Sequence, residues 1–222
     1  MDGNGRWARE KGLPRRDGHR AGAESVREVV EACKKIGVRF LTLFAFSSEN
    51  WNRPKPEIRA LMALLKEFLR VKTPEMKEQG VRLHAIGRLK DLPADCRKEL
   101  NSAIEQTASN TEIDVILALS YGSREEIVDA ARQLAREAAS GVLDPEDIDN
   151  EMMSQRLYTS NIPDPDLLIR TSGERRISNF LLWQISYAEI VINDKFWPDF
   201  RESDLNEAIA EYAQRNRRFG SI

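Results

Sequence analysis

Apolar and polar positions along this 222-residue chain fall into stretches with two different periods. The first clear helical stretch begins at Ala21, where Val26, Val29, Val30 and Cys33 share one face and Gly37 is placed to end it. Val38 to Phe46 (V-R-F-L-T-L-F-A-F) is nearly continuously apolar and rich in β-branched and aromatic residues, which predicts a strand covered on both faces. The pattern stops at Ser47 to Pro54. A helix follows from about Glu57, with Ile58, Leu61, Met62, Leu65 and Leu69 on one face, and Pro74 is expected to break or kink it. Next come a strand at Val81 to Ile86, a helix at about Ala94 to Ala108 and an apolar strand at Ile113 to Leu119. An amphipathic helix then carries Ile127, Ala130, Leu134 and Ala138, and Leu143 to Tyr158 is acidic and short-helical. Asp166 to Arg170 and Ala188 to Ile192 read as strands, and a last helix starts near Ser203. Strand and helix alternate without repeats or a linker, which predicts one α/β domain over 1–222 with a mostly parallel central sheet flanked by helices.

In such sheets ligands sit beyond the carboxyl ends of the strands. Three polar segments occupy that position: Ser47 to Arg53, Ser120 to Arg124 and Arg170 to Ser178. They are expected to share a rim, joined by the opening stretch Met1-Asp2-Gly3-Asn4-Gly5-Arg6-Trp7. Glycines let backbone N–H groups approach an anion and an Asp can hold a divalent cation against it, although the same residues also make an ordinary tight turn. Arg9, Arg15, Arg16, His19 and Arg20 follow as a cationic run. Gly12, Pro14 and Gly18 are expected to keep that run out of a regular helix, so that several side chains converge on one anion.

Composition narrows the classes. Hydrophobic residues make up 41% and charged residues 32%, as in a globular protein, and no run of about 18 apolar residues is present. Met1 is followed by Asp and Gly rather than a basic and then apolar segment, so no signal peptide is expected. A net charge of −2 argues against nucleic acid as the partner, because phosphate-backbone binders carry a basic excess. Cys33 and Cys96 lie in helical patterns without a C-x-x-C and read as buried reduced thiols of a cytoplasmic protein.

The P-loop, dinucleotide, G-x-S-x-G and H-E-x-x-H signatures are absent. His84 falls inside a strand and reads as structural. What remains is a rim bearing Asp2, Arg6, Arg15, His19, Arg170, Arg176 and Glu189. Two acids and several arginines around glycine turns suit Mg²⁺ and diphosphates, since the cation neutralises oxygens that arginine forks also bind. At an effective dielectric of 20 one charge pair at 4 Å is worth about 4 kcal/mol before desolvation, so several such contacts favour a diphosphate leaving group.

Six segments then carry a resemblance: M-D-G-N-G-R-W-A at Met1 to Ala8, G-H at Gly18-His19, S-S-E-N-W-N-R-P at Ser47 to Pro54, R-T-S-G-E at Arg170 to Glu174, R-I-S-N-F-L-L-W-Q at Arg176 to Gln184 and W-P-D-F at Trp197 to Phe200. In order and spacing they resemble the cis-prenyltransferases, the undecaprenyl diphosphate synthases in particular. The resemblance implies that Asp2 handles Mg²⁺ and the allylic diphosphate, with Gly3, Asn4, Gly5, Arg6, Trp7, Arg15 and His19 around it. It implies that Ser47, Glu49, Asn50, Trp51 and Arg53 form a loop closing over substrate, with Asn50 acting directly. Arg170, Arg176 and Ser178 would bind isopentenyl diphosphate, and Glu189 would be a second Mg²⁺-associated acid. The family is usually a homodimer whose terminal Arg218-Phe219-Gly220 reaches the partner's isopentenyl site.

Growth of a polyprenyl chain needs an apolar tunnel, expected to be walled by Val26, Val30, Leu43, Met62, Leu65, Leu69 and the Ile113 strand, with Ile113, Leu65 and Leu69 as its floor. Absence of D-D-x-x-D agrees with cis rather than trans synthesis. The lipid product implies peripheral membrane contact for release. Other readings in view are a shorter-chain cis-prenyl synthase and a non-catalytic partner subunit. Relatives have Asn and a second Gly where this chain has Ser120 and Ser123, a Gly in place of Ser221, and an apolar strand before the Met-Asp, so a segment ahead of Met1 is expected.

Overall fold

Nine consecutive buried residues, Ile113–Tyr121, form the strand about which the chain is layered. The computed structural model describes residues 1–215. In chain order its helices are α1 (Asn4–Glu10), α2 (Arg15–Lys35), α3 (Lys55–Glu78), α4 (Ala94–Thr107), α5 (Ser123–Ala139), α6 (Asn150–Ser154) and α7 (Glu202–Ala213). Its strands are β1 (Phe40–Ser47), β2 (Val81–Ile86), β3 (Ile113–Tyr121), β4 (Leu167–Arg170) and β5 (Glu189–Ile192).

β3 lies between β1 and β2, parallel to both, with Leu41 opposite Val115 and Leu83 opposite the same residue. β4 and β5 pair in parallel as a second sheet, Leu167 opposite Glu189. The mixed α/β layering follows the expectation, but among the described residues the parallel strands form two sheets rather than one.

Period-two alternation gives β3 two apolar faces. Val115, Leu117 and Leu119 pack with Val29, Cys33, Met62, Leu69 and Leu100 of the helices, while Ile116 and Ala118 pack with Phe180, Leu181 and Ile185. Asp114 on the second face is buried, and it accepts hydrogen bonds from Arg82 and His84, the latter at 2.6 Å. Burial opposes its charge, but those donors outweigh burial and hold the carboxyl below its usual range. His84 is thus structural. Both cysteines are free and buried, and burial pushes the Cys33 thiol up to about 12.

Three local expectations are corrected. β1 is half-covered: Leu43 and Phe46 are buried but Phe40 is exposed, because this strand has a partner on one side only in its sheet. α3 continues through Pro74 to Glu78, and the Thr73 hydroxyl donates to the Leu69 carbonyl at 2.6 Å beside the missing proline N–H. The cationic run is helical, Arg9 on α1 and Arg15 to Arg20 on α2. Pro14, with φ −57°, sets the entry to α2. Gly18 stays within that helix because α1 presses on it: a Cβ there would lie 2.0 Å from the Asn4 carbonyl oxygen.

Candidate active site

The opening residues are a tightly packed corner rather than a free turn. Gly3 has φ 92°, a left-handed conformation that side chains resist, and a Cβ on it would meet Ser172 Oγ at 2.3 Å and Phe196 Cδ1 at 2.5 Å. This turn feeds α1 directly. Asp2 is tied to segments that follow β4 and β5: its N–H donates to Thr171 Oγ1 at 3.1 Å, and its carbonyl accepts from the Trp197 N–H at 2.9 Å. Gly22, one turn beyond Gly18, keeps the same face of α2 open, since a Cβ there would meet Asn4 Oδ1 at 2.3 Å.

Beyond the carboxyl ends of β1 and β4 lies a cavity of about 1000 Å³. Its polar end gathers Asp2, Gly3, Asn4, Gly5, Arg6, Arg15, His19, Ser47, Asn50, Arg53, Arg170, Arg176 and Ser178. Its apolar end runs between α2, α3 and the sheet, past Val26, Phe46, Met62, Leu65, Phe68 and Leu117. That volume is at the upper end for a ligand pocket. A charged head and an apolar tail therefore fit one continuous space.

Asp2 and the arginines are mutually oriented. Arg170 donates to Asp2 Oδ2 at 3.0 Å, and Arg6 lies 3.7 Å from Oδ1. Glu174 clamps Arg6 at 2.9 Å and also pairs with Arg176. Glu57 does the same on the other side, 3.0 Å from Arg53 and 3.4 Å from Arg15. Neither acid is given a role by the sequence: an acid four residues after Arg53 looks like an ordinary helix pair, and Glu174, although it ends the R-T-S-G-E segment, gains its partner only through Arg6 of the opening stretch.

His19 is largely buried, and its pKa is pushed down to about 4 by desolvation and then by the charges of Arg53 and Arg15, against Glu57. It is neutral at pH 7. Its Nε2, like Asn4 Oδ1 and the Arg170 Nε, is buried without a hydrogen-bond partner among the described residues. Such orphaned polar atoms in one cavity mark a place built for a polar ligand.

Asn50 caps the 3-10 turn Ser48–Asn52, its Oδ1 accepting from the Ser47 N–H at 3.2 Å. Trp51 anchors that turn instead of lining the cavity: its Nε1 donates to Ser120 Oγ at 2.8 Å and its ring meets Phe46 edge-on. Glu49 points to Asn179, at 2.9 Å. The segment after β3 thus braces the rim without entering the cavity, and Trp7 likewise sits behind it, with Lys11 over its ring.

Several expected residues lie elsewhere. Glu189 opens β5 at the level of Leu167, three residues before the Arg170–Ile192 pair, which at about 3.3 Å per residue sets it about 10 Å from the strand's carboxyl end. It pairs with Arg215 at 2.7 Å, and within one chain it does not meet Asp2. Leu43, Leu69 and Ile113 are buried in the core and line neither this cavity nor a smaller void of about 40 Å³, which Val30 lines and which shares Phe68 and Leu117 with the large one. Arg218 and Gly220 lie outside the described residues. Trp197 is an added wall residue, its Nε1 donating to the Gly22 carbonyl at 2.8 Å.

Residues 1–220 match the family described as putative undecaprenyl diphosphate synthase. The chain belongs to this prenyltransferase family. Over 222 residues it is 52% identical to an isoprenyl transferase of Heliobacterium mobile and 53% to one of Brucella suis biovar 1, spanning 100% of this chain and 85% and 87% of those proteins. Among solved structures it is similar to lavandulyl diphosphate synthase from Lavandula x intermedia in complex with dimethylallyl diphosphate, with TM-score 0.96 and 38% identity over 100% of this chain and 95% of that one. It is also similar to a probable undecaprenyl diphosphate synthase from Campylobacter jejuni, with TM-score 0.81 and 35% identity over 90% and 92% of the two chains. This prenyltransferase therefore carries an arginine-rich, acid-bearing head and an apolar cavity in a fold its relatives share.

Proposed function

We propose that this prenyltransferase condenses isopentenyl diphosphate in cis onto an allylic diphosphate, farnesyl diphosphate being the primer, to make a long polyprenyl diphosphate such as undecaprenyl diphosphate, a lipid carrier precursor for cell walls. The observation that carries the reading is one cavity in which Asp2 and six arginines share a wall with apolar side chains. A solved relative bound to dimethylallyl diphosphate supports an allylic diphosphate at the head.

Among the described residues no group of three acids, histidines or cysteines is positioned to hold a metal. Asp2 alone suits Mg²⁺, an ion commonly held by one or two carboxylates together with substrate phosphate oxygens. Mg²⁺ bound there would neutralise charge building on the departing diphosphate. Arg6, Arg15 and Arg53 bind and orient the diphosphate oxygens, aided by N–H groups at the start of α1 that have no intrahelical acceptor. Arg170, Arg176 and Ser178 hold the second diphosphate. The allylic C–O bond breaks, diphosphate leaves with the electron pair, the π electrons of isopentenyl diphosphate form the new C–C bond, and a proton leaves C2 to give the cis double bond. Asn50 is placed at the rim to orient the reacting groups. Neutral His19 offers an unpartnered Nε2 to a proton near the same place, with Asp2 and the substrate's own diphosphate as the other acceptors.

Product length is set sterically, because an apolar pocket discriminates one methylene by only about 1–3 kcal/mol. Phe68 and Leu117 line both the large cavity and the small void, which supports reading them as the floor. The shorter-chain reading keeps support from the close likeness to a lavandulyl diphosphate synthase. The protein acts as a homodimer at the cytoplasmic membrane surface, where its product enters the lipid. None of its described helices is long and apolar enough to cross a membrane.

Incubation with farnesyl diphosphate, labelled isopentenyl diphosphate and Mg²⁺, followed by chromatography of the product, tests the whole reading. Long cis polyprenyl diphosphate is expected; a single addition would select the shorter-chain alternative, and no incorporation would remove the enzyme reading in favour of a non-catalytic partner subunit.

A further inference from the structure

We propose that Asn179 is a positioning residue, a latch that fixes the Ser48–Asn52 turn against the Arg176–Ser178 segment so that Asn50 and the second diphosphate site are held in register. Nearly every polar atom of Asn179 is engaged. Its carbonyl accepts from the Ser123 N–H at 2.8 Å and its Oδ1 accepts from the Arg124 N–H at 2.9 Å, which seats it on the start of α5. The two hydrogens of its Nδ2 then go to two carboxylates on different elements: Glu49 Oε1 at 2.9 Å and Glu125 Oε2 at 3.1 Å.

Two further features show that the arrangement is built rather than incidental. Asn179 and its neighbour Ser178 both have left-handed φ, 60° and 55°, a conformation that costs most side chains energy and is least unfavourable for Asn. Gly122 leaves the room in which the elements meet: a Cβ there would lie 2.1 Å from Glu125 Oε2, 2.5 Å from Ser48 Oγ and 2.7 Å from Asn179 Nδ2. Burial of Glu49 raises its pKa, but hydrogen bonds from Asn179, its own backbone, Ser47 and Ser48 outweigh this, so it stays ionised and a charge-assisted acceptor.

The geometry has a mechanical consequence. Arg176, Ser178 and Asn50 all line the cavity. Glu49 precedes Asn50, and Asn179 follows Ser178, so the Glu49–Asn179 hydrogen bond ties together the two segments that carry these lining residues. Trp51 holds the same turn through Ser120, but that bond runs to β3 and leaves the Arg176–Ser178 segment untouched. Among the hydrogen bonds of the described residues, the one between Asn179 and Glu49 joins the two.

The kinetic part rests on the reading of Arg176 and Ser178 as the isopentenyl diphosphate side, whereas the latch itself is testable without turnover. In Asn179→Ala, amide hydrogen exchange of residues 47–53 in the substrate-free protein is expected to speed up about tenfold, with the exchange of α4 unchanged. The KM for isopentenyl diphosphate should rise about tenfold and that for the allylic diphosphate stay within about twofold, the scale of one lost charge-assisted hydrogen bond. Asn179→Asp removes the donor and adds a third carboxylate, so it should lose about 100-fold in kcat/KM; adding Glu49→Gln restores a donor to that pair and should recover about tenfold. Unchanged exchange of 47–53, equal KM rises for both substrates, or losses from Asn179→Asp and Glu49→Gln that simply add would each overturn the proposal. A wild-type protein that fails to turn over while the exchange result holds would instead defeat the functional reading and leave the latch standing.

Discussion

At the scale of single residues, the site is a balance of charges that no individual side chain reveals. Asp2 is expected to be indispensable: Asp2→Ala should lower kcat by about 10³-fold or more while the protein keeps its fold, measured by single-turnover kinetics beside circular dichroism. His19 makes a prediction about acid stability. Its pKa falls from 6.5 unfolded to about 4 folded, so between those values the unfolded chain binds more protons and stability rises with pH. As pH drops from 6.5 to 4 the substrate-free protein should lose stability on the order of 3 kcal/mol, and His19→Gln should flatten that loss in urea titrations across pH. A bound diphosphate reverses part of the effect, because its negative charge offsets Arg53 and Arg15.

Between elements, the decisive contact is α1 lying on α2. Ala in place of Gly18 improves helix propensity by about 1 kcal/mol, whereas overpacking costs about 1–3 kcal/mol. The atom a Cβ would strike at 2.0 Å is the Asn4 carbonyl, part of the backbone and unable to swing aside. Gly18→Ala is therefore expected to be net destabilising and to weaken allylic diphosphate binding, since α1 carries Arg6 and follows Asp2. Urea midpoints and the KM for the allylic substrate check both effects. The same packing explains why a run broken by Gly and Pro is nevertheless helical.

Across the whole molecule, cavity length is expected to tie the core to the product. Phe68 lines both the large cavity and the small void, so Phe68→Ala joins them and should lengthen the product by one or more isoprene units on chromatography. Leu69, its neighbour, is fully buried in the core. Leu69→Ala should cost about 2–5 kcal/mol of stability and leave product length unchanged. The opposite pattern would return the floor to Ile113, Leu65 and Leu69, the residues expected from the sequence.

Periodicity and composition were enough for the layering: the apolar run at β3, the helical stripes on α2, α3 and α5, and the polar segments after the strands are written in local order, because side-chain alternation at periods of two and 3.6 is a local property. Glycine, acid and arginine in runs that serve chemistry better than packing pointed to Asp2, Arg170 and Arg176, and the family resemblance pointed to Asn50; all four line the cavity. Tertiary structure alone decided the rest. It brought Glu174 to Arg6 and Glu57 to Arg15, sent Glu189 to the far end of its strand, and put Phe68 rather than Leu69 on the cavity wall. Each depends on which element lies across from which, and a helix stripe about 100° wide cannot say which of its apolar side chains meets a void and which meets a neighbour. Asn179 is the clearest case: its sequence position identifies a left-handed turn residue at most, and its two carboxylate partners lie 130 and 54 positions away.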